Sequence, residues 1–109
     1  MRDESAHDPT TILLVDDEEM VRNLLSRALR SDKHTVAVAG SKKEAFEQLA
    51  ATRFDLLIVD KNLPDGSGLS VVEGAHNMGL DAEAIVITGY SDTDSAIQAV
   101  ALGVFRYVR

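Results

Sequence analysis

Apolar runs and helical stripes alternate along the chain. Thr11 to Val15 (TILLV) is a continuous apolar run, as expected of a strand buried on both faces. Met20, Val21, Leu24, Leu25, Ala28 and Leu29 then form a helical stripe. Thr35 to Ala39 (TVAVA) predicts a second, weaker strand. Ser41-Lys-Lys-Glu44 has capping-box spacing, and the helix it opens places Ala45, Phe46, Leu49 and Ala50 on one face. Phe54 to Val59 predicts a third strand. A loop leads to a helix around Leu69 to Met78, with Gly74 inside it and Gly79 as its C-cap. Ala84 to Ile87 predicts a fourth strand. Ser91-Asp-Thr-Asp94 repeats the capping-box spacing, before an inner face of Ala96, Ile97, Val100 and Ala101 and a stop at Gly103. Val104 to Arg109 predicts a fifth strand.

The order βαβαβαβαβ with short loops implies an α/β fold, a parallel sheet with helices on both faces. Ligands of such sheets bind beyond the carboxyl ends of the strands. Those ends carry Asp16-Asp17 after the first strand, Asp60 at the third and Thr88-Gly89 at the fourth. Three carboxylates on one edge repel one another unless a cation is present. Hard oxygen donors suit Mg²⁺, which binds through one or two carboxylates, waters and phosphate oxygens. Each residue alone has a plainer explanation. Asp17 could cap the first helix, Asp60 could start a turn, and Thr88 could be an ordinary strand residue. Their origin on three different strands favours a shared site.

Composition narrows the classes. A chain of 109 residues suggests one domain, with residues 1–10 as a polar leader and 11–109 as the folded part. A net charge of −7 argues against direct nucleic acid binding or anionic-membrane binding by this chain. The absence of cysteine excludes disulfides and fits a cytoplasmic location. No apolar run approaches the roughly 20 residues of a membrane span. His7, His34 and His76 lack ligand spacing. Gly66-Ser-Gly68 is not a phosphate loop, because no G-x-x-x-x-G-K-[ST] is present. Lys42-Lys43 reads as a solvated helix start.

Four segments, LLVDDEE, LLIVDKNLPDGSG, IVITGYSD and LGVFRYV, resemble in order the receiver (CheY-like) domain of two-component response regulators. Pro64 four residues and Gly68 eight residues after Asp60 strengthen the likeness, which covers nearly all of Thr11 to Arg109. The resemblance implies a flavodoxin-like, doubly wound parallel five-stranded sheet of order 2-1-3-4-5. A chemotaxis receiver is a known example of that order, so the order follows from the family and not from periodicity.

The resemblance also implies roles. Asp60 becomes the phosphoacceptor of a phosphorelay, taking a phosphoryl group from a sensor histidine kinase or a phosphotransfer protein. Asp17 becomes a direct Mg²⁺ ligand, Asp16 a ligand through water, Asp60 a further ligand and Asn62 a donor through its backbone carbonyl. Thr88 becomes the switch hydroxyl and Tyr107 the switch aromatic, with a half-buried strand aromatic as the plainer reading of Tyr107. Asn62 and Tyr90 fall where the family varies and tunes dephosphorylation, and a bulky Tyr90 is expected to shield the phosphoryl group from water. The domain is then a switch that helps catalyse its own phosphorylation, not a turnover enzyme. The output stays open: a DNA-binding domain, an enzymatic domain, a hybrid kinase or no further domain could follow.

Two other readings stay open. One is a degenerate receiver serving as an interaction module. The other is a phosphatase with an Asp nucleophile, against which Asn62 stands where such enzymes carry a second acid. The family also has a Lys after Tyr-Val-x on the fifth strand, and here Tyr107-Val108-Arg109 is followed by nothing. The expectation is a fragment, cut before that Lys and the last helix. It should be less stable than a version extended through both, with part of the sheet uncovered beside the first helix. A homodimer is then expected only of the complete protein.

Overall fold

The computed structural model describes residues 10–30 and 34–87. In chain order the elements are β1 (Thr10–Val15), α1 (Glu19–Leu29), β2 (His34–Ala39), α2 (Lys42–Ala51), β3 (Leu56–Asp60), β4 (Asn62–Leu63), β5 (Gly66–Ser67), α3 (Gly68–Asn77) and β6 (Glu83–Ile87). The strand expected over Val104 to Arg109 and the helix expected after Ser91 lie outside the described residues. So do Thr88, Tyr90 and Tyr107.

Among the described residues the sheet differs from the five parallel strands expected. Four parallel strands stand in the order β2-β1-β3-β6, and β4 and β5 form a separate antiparallel pair. The four agree with the order 2-1-3-4, with β6 in fourth place. The extra pair arises within the segment read as loop. Pro64 and Asp65 reverse the chain there, which brings Leu63 opposite Gly66 and Asn62 opposite Ser67. The first strand also begins one residue early, because Thr10 pairs with His34.

Alternation along the strands divides the core. Ile12 and Leu14 of β1 and Leu56 and Ile58 of β3 pack with Val21, Leu25 and Leu29 of α1. Leu13, Val15, Leu57 and Val59 point the other way and pack with Ala45 and Leu49 of α2 and Val71 and Ala75 of α3. One described helix therefore covers one face and two cover the other, the arrangement that right-handed crossovers require of this strand order. The helical stripes are narrower than predicted. Met20 is 67% exposed, and Ala28 and Ala50 are exposed, because only the lines Val21-Leu25-Leu29 and Ala45-Leu49 face the sheet squarely.

Helix ends follow local chemistry. Ser41 Oγ accepts the Glu44 N–H at 3.1 Å, and Glu44 Oε1 accepts the N–H of Gly40 at 2.6 Å, one residue before the usual capping-box partner. α3 ends in a Schellman motif. Gly79 has φ of 79° and donates to the His76 carbonyl, while Leu80 donates to that of Ala75. Gly74 has a packing role. A Cβ there would stand 2.6 Å from Phe46 Cζ, so glycine lets α3 close on α2.

Candidate metal and phosphoryl-acceptor site

Parallel register builds the site. β1 and β3 pair Leu14 with Ile58 and Val15 with Val59, and the next step along both strands brings Asp16 level with Asp60. On the other side of β3, Asp60 pairs with Ile87, the residue before Thr88. The carboxylates of Asp16, Asp17 and Asp60 offer oxygen atoms that all lie within 4.8 Å of one another. Asp16 is 4% exposed, Asp60 is half-buried and Asp17 is exposed. Acids from two separate strands thus meet on one edge, as the strand ends predicted.

Burial pushes the Asp16 carboxyl up to about 6 from its ordinary value of 3.8, and the charges of Asp60, Asp17 and Glu18 add to this. The Glu18 N–H, donating to Asp16 Oδ1 at 2.9 Å, works in the opposite direction. A buried carboxylate surrounded by like charge is what a divalent cation relieves. Three hard oxygen donors, with Asp17 exposed and Asp60 half-buried, fit Mg²⁺. Asp17 does not cap α1. Glu18 takes the N-cap position without a side-chain bond, which leaves the Asp17 carboxylate uncommitted to the helix.

Neighbouring backbone fixes each acid. Asp16 N–H donates to the Ala39 carbonyl at 3.0 Å, and its own carbonyl accepts from Arg22 Nη1 at 2.8 Å. Asp60 Oδ1 accepts the Asn62 N–H at 3.1 Å, which orients the carboxylate. Lys61 N–H donates to the Ile87 carbonyl at 3.0 Å, and Gly68 N–H to the Lys61 carbonyl at 2.7 Å. Gly66 has φ of 145°, a conformation that favours glycine. Gly68 is required for a different reason, its close approach to the Asp60 backbone.

Two contributors were not legible in the sequence. Nothing in the pattern marks Arg22 of α1 as a partner of the Asp16 carbonyl. Asp65 reads as part of a turn, yet its carboxylate accepts the N–H groups of Lys42 and Lys43. Lys42-Lys43 is therefore a held helix start and not merely a solvated one. The Pro64-Asp65-Gly66 sequence signals a turn with an acceptor side chain, but it does not name a partner 22 to 23 residues away.

Residues 12–109 match the response regulator receiver domain family. Over 96 residues the chain is 41% identical to the response regulator protein PilR of Pseudomonas aeruginosa, covering 88% of this chain and 22% of that protein. It is 33% identical to the acid tolerance regulatory protein ActR of Rhizobium meliloti, covering 90% of this chain and 50% of that one. The chain thus spans half or less of the length of these relatives. Among solved structures, the response regulator TrrA of Thermotoga maritima in complex with Mg²⁺ and BeF superposes with a TM-score of 0.68 at 33% identity, over 84% of this chain and 80% of that one. The signal receiver domain of an HD domain-containing protein from Pseudomonas fluorescens shares the fold, with a TM-score of 0.81 at 21% identity over 99% and 93% of the two chains. The acidic edge, the strand order and these likenesses agree, and the chain belongs to the response regulator receiver domain family.

Proposed function

We propose that Asp60 is the phosphoacceptor of a two-component phosphorelay and that Asp16, Asp17, Asp60 and the Asn62 carbonyl hold Mg²⁺ beside it. The meeting of three carboxylates at the carboxyl end of β3 carries this reading. When bound, the cation offsets negative charge on the transferring phosphoryl group. The chain's own residues supply nucleophile and orientation. The Asn62 N–H holds one oxygen of Asp60, leaving the other to attack phosphorus. An O–P bond forms to Asp60 as the N–P bond of a donor phosphohistidine breaks. The bonding pair stays on the imidazole nitrogen, which takes up a proton.

The donor on this reading is a sensor histidine kinase or a histidine phosphotransfer protein. Thr88 follows Ile87, the partner of Asp60 in the sheet, so its hydroxyl enters the proposal as the switch group that binds the phosphoryl oxygen. Tyr107 enters as the switch aromatic. The response is a shift between two conformations, read by an output domain of the longer protein. This is a signalling module that helps catalyse its own phosphorylation and dephosphorylation. No helix among the described residues is long and apolar enough to cross a membrane. We place the reaction in the cytoplasm on composition and family.

The test is to incubate the chain with Mg²⁺ and acetyl phosphate, or a phosphoramidate, and measure intact mass. One phosphoryl group per chain is expected, released by hydroxylamine and absent in Asp60→Asn. An adduct that persists in Asp60→Asn, or none in the wild type, overturns the assignment.

A further inference from the structure

We infer that Asp65 is a positioning residue for the phosphorylation site, because its carboxylate ties the turn carrying Asn62 to the first turn of α2. The inference rests on the reading of Asp60 as phosphoacceptor.

Asp65 sits in the two-residue turn between β4 and β5. Its Oδ1 accepts the Lys42 N–H at 2.8 Å and its Oδ2 accepts the Lys43 N–H at 3.1 Å. Both carboxylate oxygens are thus spent on consecutive amides that a helix leaves without an internal partner. Ser41 Oγ takes the third, from Glu44. These amide bonds, that of Lys42 foremost, hold the Asp65 carboxyl below its ordinary range. The turn also rests on Lys42 itself. A Cβ on Gly66 would come within 2.9 Å of Lys42 Cδ.

The route from Asp65 back to Asp60 is short and stiff. Asn62 pairs with Ser67 and Leu63 with Gly66 across the turn. Asn62 N–H then grips Asp60 Oδ1, and Gly68 N–H grips the Lys61 carbonyl. Leu63 anchors one side of the turn in the core beneath α2 and α3. Asp65 is the second anchor, on a different element. With only Leu63 left, the turn can rock about that side chain. The amide that aims the Asp60 carboxylate, and the Asn62 carbonyl that would hold the cation, would then lose their fixed positions. Partners that orient metal ligands typically matter about 10- to 100-fold in affinity.

The test compares wild type, Asp65→Ala, Asp65→Asn and Ser41→Ala. The readouts are the urea midpoint, the Mg²⁺ Kd by calorimetry and the initial rate of phosphorylation by acetyl phosphate. Asp65→Ala should weaken Mg²⁺ about tenfold and slow phosphorylation in proportion. Asp65→Asn keeps one acceptor oxygen and loses the other, so it should fall between wild type and Asp65→Ala. Ser41→Ala removes a cap bond of the same helix with no link to the turn, so it should lower the urea midpoint and leave Kd unchanged.

Wild-type Kd and rate in a folded Asp65→Ala protein overturn the inference. So does a Ser41→Ala protein that loses Mg²⁺ affinity in step with its stability. If Asp65→Ala does not fold, amide exchange in the wild type decides. Mg²⁺ should slow exchange at Asn62 together with Lys42 and Lys43, and slowing at Asn62 alone overturns the inference. A wild type that binds Mg²⁺ yet takes no phosphoryl group defeats the phosphoacceptor reading, while the Kd comparison still judges Asp65.

Discussion

Gly68 lies so close to Asp60 that a Cβ on it would overlap the Asp60 carbonyl oxygen and stand 2.6 Å from Val59 Cγ1. The first residue of α3 therefore packs directly against the end of the strand that carries the acceptor. Any side chain at position 68 must push that strand end or the helix aside.

Gly68→Ala should accordingly lower stability by roughly 1–3 kcal/mol, the usual cost of overpacking. It should also slow phosphorylation by more than the unfolded fraction explains, since the displaced atoms adjoin the nucleophile. Urea unfolding and the acetyl phosphate rate, measured on one preparation, check both parts. An Ala variant with wild-type stability and rate would show that the backbone yields without cost.

Asp16 binds its proton more tightly in the fold than in the unfolded chain, because burial raises its pKa to about 6 from 3.8. Its ionised form thus opposes folding. The penalty is fully present above pH 6, fades as pH falls through 6 towards 3.8, and vanishes below. At neutral pH it is on the order of 3 kcal/mol without a cation. Asp16→Asn should be more stable than the metal-free wild type at pH 7, and the gap should close by pH 4. Paired urea curves across that range test the sign.

Mg²⁺ should reverse that ranking in part. At ten times Kd a ligand of the folded state alone adds about 1.4 kcal/mol. The wild type should gain this on addition of Mg²⁺ and lose it on chelation. Asp16→Asn and Asp17→Asn should gain less. Thermal midpoints with Mg²⁺ and with chelator read the difference.

Gly74→Ala sets propensity against packing. Alanine favours a helix interior by about 1 kcal/mol over glycine. Here the added methyl would meet the Phe46 ring, so the substitution should destabilise. In a Phe46→Ala background the clash is gone and Gly74→Ala should become stabilising. A double-mutant cycle in urea measures the coupling, and additivity would rule the contact out.

Ser26 Oγ on α1 is buried, with no hydrogen-bond partner among the described residues. Ser26→Ala should raise stability by about 1 kcal/mol, since an unpaired buried hydroxyl carries a desolvation cost. A lower thermal midpoint in the alanine protein would show that the hydroxyl is paired in solution.

Much of this molecule was legible in its pattern of residues. TILLV and LLIVD announce buried strands, and their polar ends announce the edge where Asp16, Asp17 and Asp60 meet. Alternation fixes which side chains face α1 and which face α2 and α3, because successive strand residues must point to opposite faces. Ser41 and Glu44 mark a helix start, and Gly79 marks a helix end, through bonds that span only a few residues. Such relations are local or periodic, so the order of amino acids alone determines them.

Other relations were decided by the tertiary structure. The hairpin after Asp60, the burial that raises the Asp16 pKa, the fit of Gly74 to Phe46 and the reach of Asp65 to Lys42 and Lys43 all depend on distance between elements. An acidic residue in a turn has the same local signature whether its carboxylate faces water or a helix terminus. Its role appears only when packing carries the turn to α2, because a hydrogen bond needs its partner within about 3 Å and the sequence does not encode that distance directly.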